Sequence, residues 1–301
     1  MREFDRKWSA DDANLLLPLR WRKSRNVRIS GDLFHESIPD EWIDRVFAVM
    51  ALCPQHTFQV LTKRAERMRE YCERKDRRNE IELAAEKIRA GTGWCAPKHS
   101  FSWPLPNVWL GISAERQQEA DERIPHLLNT PAAIRFVSAE PLLGPIDFGD
   151  RLKRWHEIEC DLSENQSRNL VPNVRLDWII TGGESGPHAR PALIKWPRSI
   201  RDQCQESGVA YFHKQNGEWI DADEWLGGIE RGPSQIIVDG KPWQPATPLN
   251  YTDAADLACF TGRSGKHQHQ SDGSTMIRVG KHAAGRTLDG KEYSEFPKGV
   301  S

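Results

Sequence analysis

The stretch LDWIITGGESGPHARP, residues 176–191, contains the features that decide the fold. Its apolar run, Trp178–Ile180, breaks into a glycine pair that is followed by an acid, Glu184. A short run that is apolar at every position is typical of a strand buried on both faces, as in a parallel sheet. The stretch therefore predicts a buried strand and a tight loop, and it leaves open whether Glu184 serves the loop or a ligand.

Five more short apolar runs have the same character. They are Val27–Ser30, Phe58–Leu61, Val108–Ile112, Ile134–Val137 and Val209–Phe212. Helical patterns lie between them, such as PDEWIDRVFAVMAL at 39–52 and WPRSIRDQCQESG at 196–208. Because strands and helices alternate, the sequence predicts an α/β fold, a partial (β/α) barrel with mostly parallel strands.

The pattern changes after the sixth run. Residues 1–216 are predicted to form the barrel, with a polar insertion at 149–175. Short extended pieces around Asp-Gly turns then predict a β-rich C-terminal extension, residues 217–301, packed on the barrel. The charged stretch 64–91 predicts one long amphipathic helix that ends near Gly91 and has a salt-bridged solvent face.

Polar residues or glycines follow each apolar run. The candidates for catalysis are Lys63, Glu140 and Lys214, and those for cofactor binding are Asp32, His35, Glu36, Ser113, Glu115, Gly182, Gly183 and Glu184. The carboxyl ends of parallel strands meet at one face, which carries the active site in β/α barrels. The sequence therefore predicts a ligand-binding face at the strand ends.

Several familiar motifs do not fit this sequence. The glycine loop lacks both the helix-opening G-x-G-x-x-G pattern of dinucleotide sites and the G-K-[ST] ending of a P-loop. The H-x-H of His267 and His269 has no third ligand at a suitable spacing, so we predict no metal site there. The six cysteines contain no C-x-x-C pair, and Cys53 and Cys204 fall in apolar helical patterns that predict buried thiols.

The composition limits the class of protein. The sequence has 301 residues and a mean hydropathy of −0.67, with no apolar stretch of membrane-spanning length. Because the charged start has no apolar core segment, no secretory signal is expected. A cytoplasmic protein without a membrane is expected. The formal net charge of −1 gives no global argument for nucleic-acid binding, although a local basic face remains compatible with it.

Long stretches of the sequence resemble one family. They include DLFHESIPDEWIDRVFAVMALCPQHTFQVLTKR (32–64), WPLPNVWLGIS (103–113), ADERIPHLLNTPAAIRFVSAEPLLGPID (120–147), the stretch 176–191 and VGKHAAGRTLDGKEYSEFP (279–297). Together they resemble the phage Gp-thirty-seven/Gp-sixty-eight family, whose members are uncharacterised. The usual N-terminal segment of that family has three cysteines and looks like the cluster loop of radical S-adenosylmethionine enzymes, which have partial β/α barrels.

The resemblance implies roles for the strand-end residues. The loop at 31–36, with Asp32, His35 and Glu36, would hold the methionine amino group of S-adenosylmethionine. Ser113 and Glu115 would lie near the ribose, and the loop of Gly182, Gly183 and Glu184 would lie near the nucleoside. These implications rest on an analogy between folds.

This sequence has no cysteine before Cys53. A [4Fe–4S] cluster is therefore expected only if an N-terminal cysteine segment is supplied from elsewhere. Three explanations remain open: a start assigned to a downstream methionine, a separate polypeptide that carries the cysteine segment, or a degenerate member that has lost redox chemistry.

The leading hypothesis is a radical-S-adenosylmethionine-like barrel that binds S-adenosylmethionine or a related nucleoside, with a nucleic acid or nucleotide as its substrate. One alternative is a cluster-less binding or assembly protein with a vestigial pocket. Another is a nucleic-acid-processing enzyme that holds Mg²⁺ with Asp32, Glu115, Glu140 and Glu184.

Overall fold

A computed structural model describes residues 12–93, 101–153, 174–221, 237–238, 241–242, 267–269 and 275–297. Its main feature is a curled six-stranded parallel sheet, a half-barrel, with the strands in sequential order. The strands are β1 Asn26–Arg28, β2 Thr57–Thr62, β3 Val108–Ser113, β4 Ile134–Ala139, β5 Trp178–Gly182 and β6 Ala210–Gln215. The prediction of an α/β fold with a partial barrel-like sheet is confirmed, and each apolar run forms a strand.

Helices connect these strands. They are α1 Asp12–Leu15, α2 Asp40–Leu52, α3 Ala65–Glu73, α4 Arg77–Thr92, α5 Gln117–Asn129, α6 Lys195–Glu206 and, near the C-terminus, α7 Lys281–Ala284. Two short 3-10 helices, Leu17–Arg20 and Gly149–Leu152, accompany them. None of the described helices combines the length and the apolar character that a membrane span requires.

The prediction of one helix over 64–91 is wrong. The helix breaks after Glu73 because Arg74 adopts an extended backbone, and α4 then runs to Thr92, with Gly93 in the left-handed region that closes it. Arg77 has no exposed side-chain surface, so the segment is not solvated along its whole length. A buried guanidinium needs close partners, and Arg77 donates to Asp44 at 2.6 Å and lies 3.5 Å over the ring of Tyr71.

The described chain divides into two compact units. Among the described residues, unit 1 comprises 12–93, 101–112 and 123–135, and unit 2 comprises 113–122 and the described residues after 135. In unit 1, α2 packs against α4, and buried side chains such as Phe47, Phe58 and Met68 form the core. In unit 2, the core includes Val137, Ile179 and Ile200 from β4, β5 and α6. Burial of these apolar side chains is the main favourable contribution to folding.

Small antiparallel sheets follow the main sheet, as the sequence predicted. They contain β7 Trp219–Asp221, β8 Ile237–Val238, β9 Lys241–Pro242, β10 His267–His269, β11 Thr275–Arg278, β12 Thr287–Leu288 and β13 Lys291–Glu292. Within unit 2, Ser294 pairs with Phe212 of β6, so the C-terminal segment covers that strand. The boundary at residue 217 stays a prediction, and most of the predicted insertion at 149–175 lies outside the described residues.

Candidate functional site

The strand-end candidates of β1 and β2 lie in unit 1. The carboxylate of Asp32 accepts four hydrogen bonds: from Thr62 Oγ1 at 2.5 Å, Phe34 N at 3.2 Å, Lys63 N at 3.1 Å and Arg64 Nη1 at 2.9 Å. Arg64 Nε also donates to Glu36 at 3.2 Å. We call Asp32, Glu36, Thr62 and Arg64 the Asp32 cluster. Two of the four donors to Asp32 are backbone amides, so this carboxylate fixes the path of the chain.

The loop after β1 is also held from the next helix. Arg67 of α3 donates to the backbone carbonyls of His35 and Ile38. The His35 ring lies 2.8 Å from the hydroxyl of Ser37, through Nδ1. Lys63 donates its backbone amide to Asp32, and the residue is exposed. The structure thus brings Asp32 and Glu36 together around one arginine.

A second group of candidates lies in unit 2. Lys214 Nζ donates to Glu140 Oε2 at 2.7 Å, and Gln215 Nε2 donates to Glu140 Oε1 at 2.9 Å. We call Glu140, Lys214 and Gln215 the Glu140 cluster. The side chain of Lys214 is 36% exposed and that of Glu140 is 17% exposed, whereas Gln215 is buried. The pair is therefore partly desolvated but reachable from solvent.

Backbone hydrogen bonds join the strand ends of unit 2. The loop after β4 begins with a cis peptide bond between Glu140 and Pro141. Its next amides donate to neighbouring strand ends, Leu142 N to Gly182 O at 2.9 Å and Leu143 N to Glu115 O at 2.9 Å. The Glu140 loop is thus held between the ends of β3 and β5.

Ser113 and Glu115, at the end of β3, are buried. Ala114 N, between them, donates to Ser138 O of β4 at 3.0 Å. The structure thus places both candidates beside the Glu140 loop through backbone contacts.

The glycines of the opening stretch have packing roles. A Cβ on Gly182 would lie 3.0 Å from the carboxyl group of Glu140. A Cβ on Gly183 would overlap the backbone of Asn216, and one on Gly217, whose φ is +80°, would overlap the backbone of Glu184. The loops after β5 and β6 therefore touch backbone to backbone, which only glycine permits. The close approach at these glycines is made to the protein itself.

Glu184 is bound by its own loop. Arg190 donates to its carboxylate from the backbone N, Nε and Nη2 at 2.8, 2.8 and 3.0 Å. These hydrogen bonds from the Arg190 side chain hold the pKa of Glu184 below its usual value. The question raised by the opening stretch has a structural answer, because Glu184 closes the turn over residues 184–190. Its predicted place near a nucleoside stays a prediction.

A buried hydrogen-bond chain lies under the Glu140 cluster. Asn216 Nδ2 donates to two backbone carbonyls at 2.9 and 3.0 Å, so its Oδ1 must accept from Nε2 of His213 at 2.8 Å. Nδ1 of His213 lies 2.9 Å from Thr181 Oγ1, which lies 2.8 Å from the hydroxyl of Tyr211, and that hydroxyl donates to the Pro197 carbonyl at 3.1 Å. Burial of the ring lowers the pKa of His213, which favours the neutral form of the imidazole.

The described cysteines do not fit an iron–sulfur cluster. Cys53, Cys72 and Cys204 are buried, and burial raises the pKa of Cys53 and of Cys72 to about 12. The prediction that Cys53 and Cys204 are buried is confirmed. Within the described ranges, no three His, Cys, Asp or Glu side chains lie together as a metal site.

The predicted residues did not include Gln215 of the Glu140 cluster, Thr62 and Arg64 of the Asp32 cluster, or two further contributors. Arg190 donates hydrogen bonds to the carboxylate of Glu184, and Asn216 Oδ1 accepts a hydrogen bond from His213 Nε2. The Asn-Gly pair at 216–217 directly after a strand was a turn signal that pointed to Asn216. The pairing of Arg190 with Glu184 depends on the fold of the intervening loop and leaves no local signal.

One family model matches residues 2–297, and its description is Protein of unknown function (DUF5131). No curated protein and no solved structure matches this chain. The match covers nearly all of the sequence, including both groups of strand-end residues. The predicted kinship with phage proteins and with radical S-adenosylmethionine enzymes stays a prediction.

Proposed function

The chain belongs to the DUF5131 family, and we propose that it binds a nucleoside of the S-adenosylmethionine class at the Glu140 cluster. The observation that carries the proposal is the bonding of the Glu140 carboxylate. It takes two donors, both from side chains, among the described residues. A carboxylate can accept about four hydrogen bonds, so Glu140 keeps acceptor sites for a ligand.

The other strand-end carboxylates, those of Asp32 and Glu184, accept more hydrogen bonds than Glu140 does, which supports Glu140 as the ligand-binding position. Asp32 accepts four hydrogen bonds, and Glu184 accepts three from Arg190 alone. A ligand would have to displace donors at either of these positions. At Asp32 displacement leaves the buried hydroxyl of Thr62 unsatisfied, which costs about 1–3 kcal/mol. At Glu184 a ligand would have to compete with three hydrogen bonds from Arg190, whose exposed side chain can turn to water. Glu140 accepts ligand hydroxyls without such a loss.

The chemistry of the cluster suits a nucleoside that carries an amino acid group. Carboxylates bind the ribose hydroxyls of nucleotides in other α/β folds. Lys214 uses one of its three N–H donors on Glu140 and is one-third exposed, so it remains able to meet a ligand carboxylate. S-adenosylmethionine presents both groups. Glu140 and Lys214 act as binding residues in this proposal.

The proposal includes no reaction step. Radical chemistry requires a cluster, and the described cysteines do not supply its ligands. S-adenosylmethionine, when bound, would supply a methyl or adenosyl group. The catalytic role of Lys63 stays a prediction.

Isothermal titration calorimetry with S-adenosylmethionine and with S-adenosylhomocysteine tests the proposal. We expect both to bind the wild-type chain and to bind Glu140→Gln at least tenfold more weakly, because an amide replaces one acceptor with a donor. Glu184→Gln is the matched control, an equal change at a neighbouring strand end, and it should leave affinity unchanged. Absence of binding to either compound by the wild-type chain would overturn the proposal and leave the assembly role as the better prediction.

A further inference from the structure

A basic segment precedes and includes β1. Five cations stand within residues 20–28: Arg20, Arg22, Lys23, Arg25 and Arg28. No Asp or Glu occurs between Asp12 and Asp32. We call residues 20–28 the basic edge. It contrasts with the chain as a whole, whose formal net charge is −1.

All five cations of the basic edge are exposed. Within the described part of the chain, none of them forms an ion pair. Other arginines of unit 1 behave differently, since Arg64, Arg74 and Arg78 each pair with an acid. Among the described residues, no carboxylate therefore pairs with the positive charge of the basic edge.

The backbone spreads these cations along one edge of unit 1. The 3-10 helix ends at Arg20, Trp21 is extended, the chain bends at Lys23, and β1 is the terminal strand of the sheet order. Extended chain rises about 3.3 Å per residue, so Arg25, whose carbonyl accepts from Thr57 N, lies about 10 Å from Arg28 at the end of β1. The guanidinium of Arg25 lies 4.7 Å from the centre of the Trp21 ring, a cation–π contact that orients it.

We propose that the basic edge binds the phosphate backbone of a nucleic acid. Four of the five cations are arginines, whose planar fork pairs with phosphate in a bidentate manner. Trp21 is half-buried, because its ring packs against His56 on one side and lies under the guanidinium of Arg25. The ring is therefore not available to stack on a base. Recognition is then independent of base sequence, because phosphate contacts carry no sequence information.

An anionic membrane is the less suitable partner. Peripheral binding to membranes usually uses an amphipathic helix with an apolar face beside the cations. The basic edge is not helical after Arg20, so its five cations do not lie on one face of an amphipathic helix. This inference is independent of the Glu140 cluster, so either proposal can fail without the other.

Fluorescence anisotropy with a labelled single strand of mixed sequence tests the proposal on the full chain. If four cations each contact a phosphate, the slope of log K against log salt is about −3, and affinity falls about 50-fold from 50 to 200 mM salt. The triple variant Arg22→Gln, Lys23→Gln, Arg25→Gln should bind at least tenfold more weakly at 50 mM salt. Its salt slope should be shallower by about 2.

A matched control variant distinguishes the basic edge from a general effect of removing positive charge. Lys75→Gln, Arg78→Gln, Lys87→Gln removes three exposed cations from a region of unit 1 rich in acids, and it should bind like the wild type. Circular dichroism should show the same melting temperature for wild type and both variants. Equal loss in both variants would overturn the proposal. So would binding of the wild type to phosphatidylserine vesicles but not to the labelled strand.

Discussion

The Asp32 cluster in unit 1 and the Glu140 cluster in unit 2 use the same residue types in different ways. Each places a carboxylate beside a cation at a strand end. Asp32 receives two of its four hydrogen bonds from backbone amides, whereas Glu140 receives both of its bonds from side chains. A carboxylate bonded to backbone fixes a loop, and one bonded only to side chains keeps capacity for a ligand. Residue type alone does not distinguish the two.

The largest expected effect comes from Gly183→Ala. The new Cβ would overlap the Asn216 backbone, and overpacking against rigid atoms costs about 3 kcal/mol or more. Gly182→Ala is the matched control, because its Cβ meets only the flexible Glu140 side chain, and it should cost about 1 kcal/mol. Urea unfolding measures both. Similar losses in the two variants would contradict the backbone contact between the β5 and β6 loops.

The next effect separates the two clusters directly. Asp32→Ala leaves the backbone amides of Phe34 and Lys63 without their acceptor, and we expect a loss of about 2–3 kcal/mol in the free energy of unfolding. Glu140→Ala should cost less than about 1 kcal/mol, because Lys214 is partly exposed and can turn to water. Urea unfolding of the two variants checks this difference. A larger loss for Glu140→Ala would reverse our assignment of the structural cluster.

A smaller effect concerns pH. The pKa of His213 is lowered, mainly by burial, with Arg286 lowering it and Glu140 raising it. Above the ordinary value of 6.5 both the folded and the unfolded chain carry a neutral ring. Below it the unfolded chain gains a proton first, so the free energy of unfolding falls as the pH falls toward the lowered pKa.

Thermal unfolding between pH 7.5 and 5.5 measures this dependence. We expect His213→Gln to show a weaker decline than the wild type, since glutamine does not titrate. An equal decline in both proteins would mean that other groups account for it.

The smallest effect is expected for Glu184→Gln. Arg190 is more than half exposed, so solvent screens the pair, and the loss of stability should be about 0.5 kcal/mol. Because Arg190 lowers the pKa of Glu184, the contribution is present above the ordinary value of 4.5 and is lost as the pH falls through the lowered pKa. Urea unfolding at pH 7 and pH 3.5 checks it. A difference between wild type and variant that is as large at pH 3.5 as at pH 7 would contradict the ion pair.

The strands could be predicted because the apolar run is a local signal. Six runs gave six strands, and Asp-Gly pairs marked the small antiparallel sheets. The break between α3 and α4 could not be predicted, because it depends on Arg77 entering the core to meet Asp44 on another helix. From the sequence alone, a charged residue at that position is predicted to be solvated, because its partner is distant in the sequence.

The candidate site was predictable in position but not in detail. Strand-end polarity identified Glu140 and Lys214, which the structure places in contact. It also favoured Glu184, whose acceptors are taken by Arg190. The glycine pair was predicted to bind a cofactor, whereas Gly183 lies against the backbone of Asn216 and Gly182 lies against the side chain of Glu140. The number of donors on each carboxylate is a property of the folded loops and is not encoded in a short motif.

Hydrogen–deuterium exchange with S-adenosylhomocysteine tests the central comparison most directly. Slower amide exchange is expected in peptides that cover residues 138–144, 181–185 and 213–217, where the ligand would contact the Glu140 cluster. Peptides that cover residues 31–38 and 62–67, around the Asp32 cluster, should exchange at the same rate with and without the ligand. Protection confined to the Asp32 cluster would contradict the account.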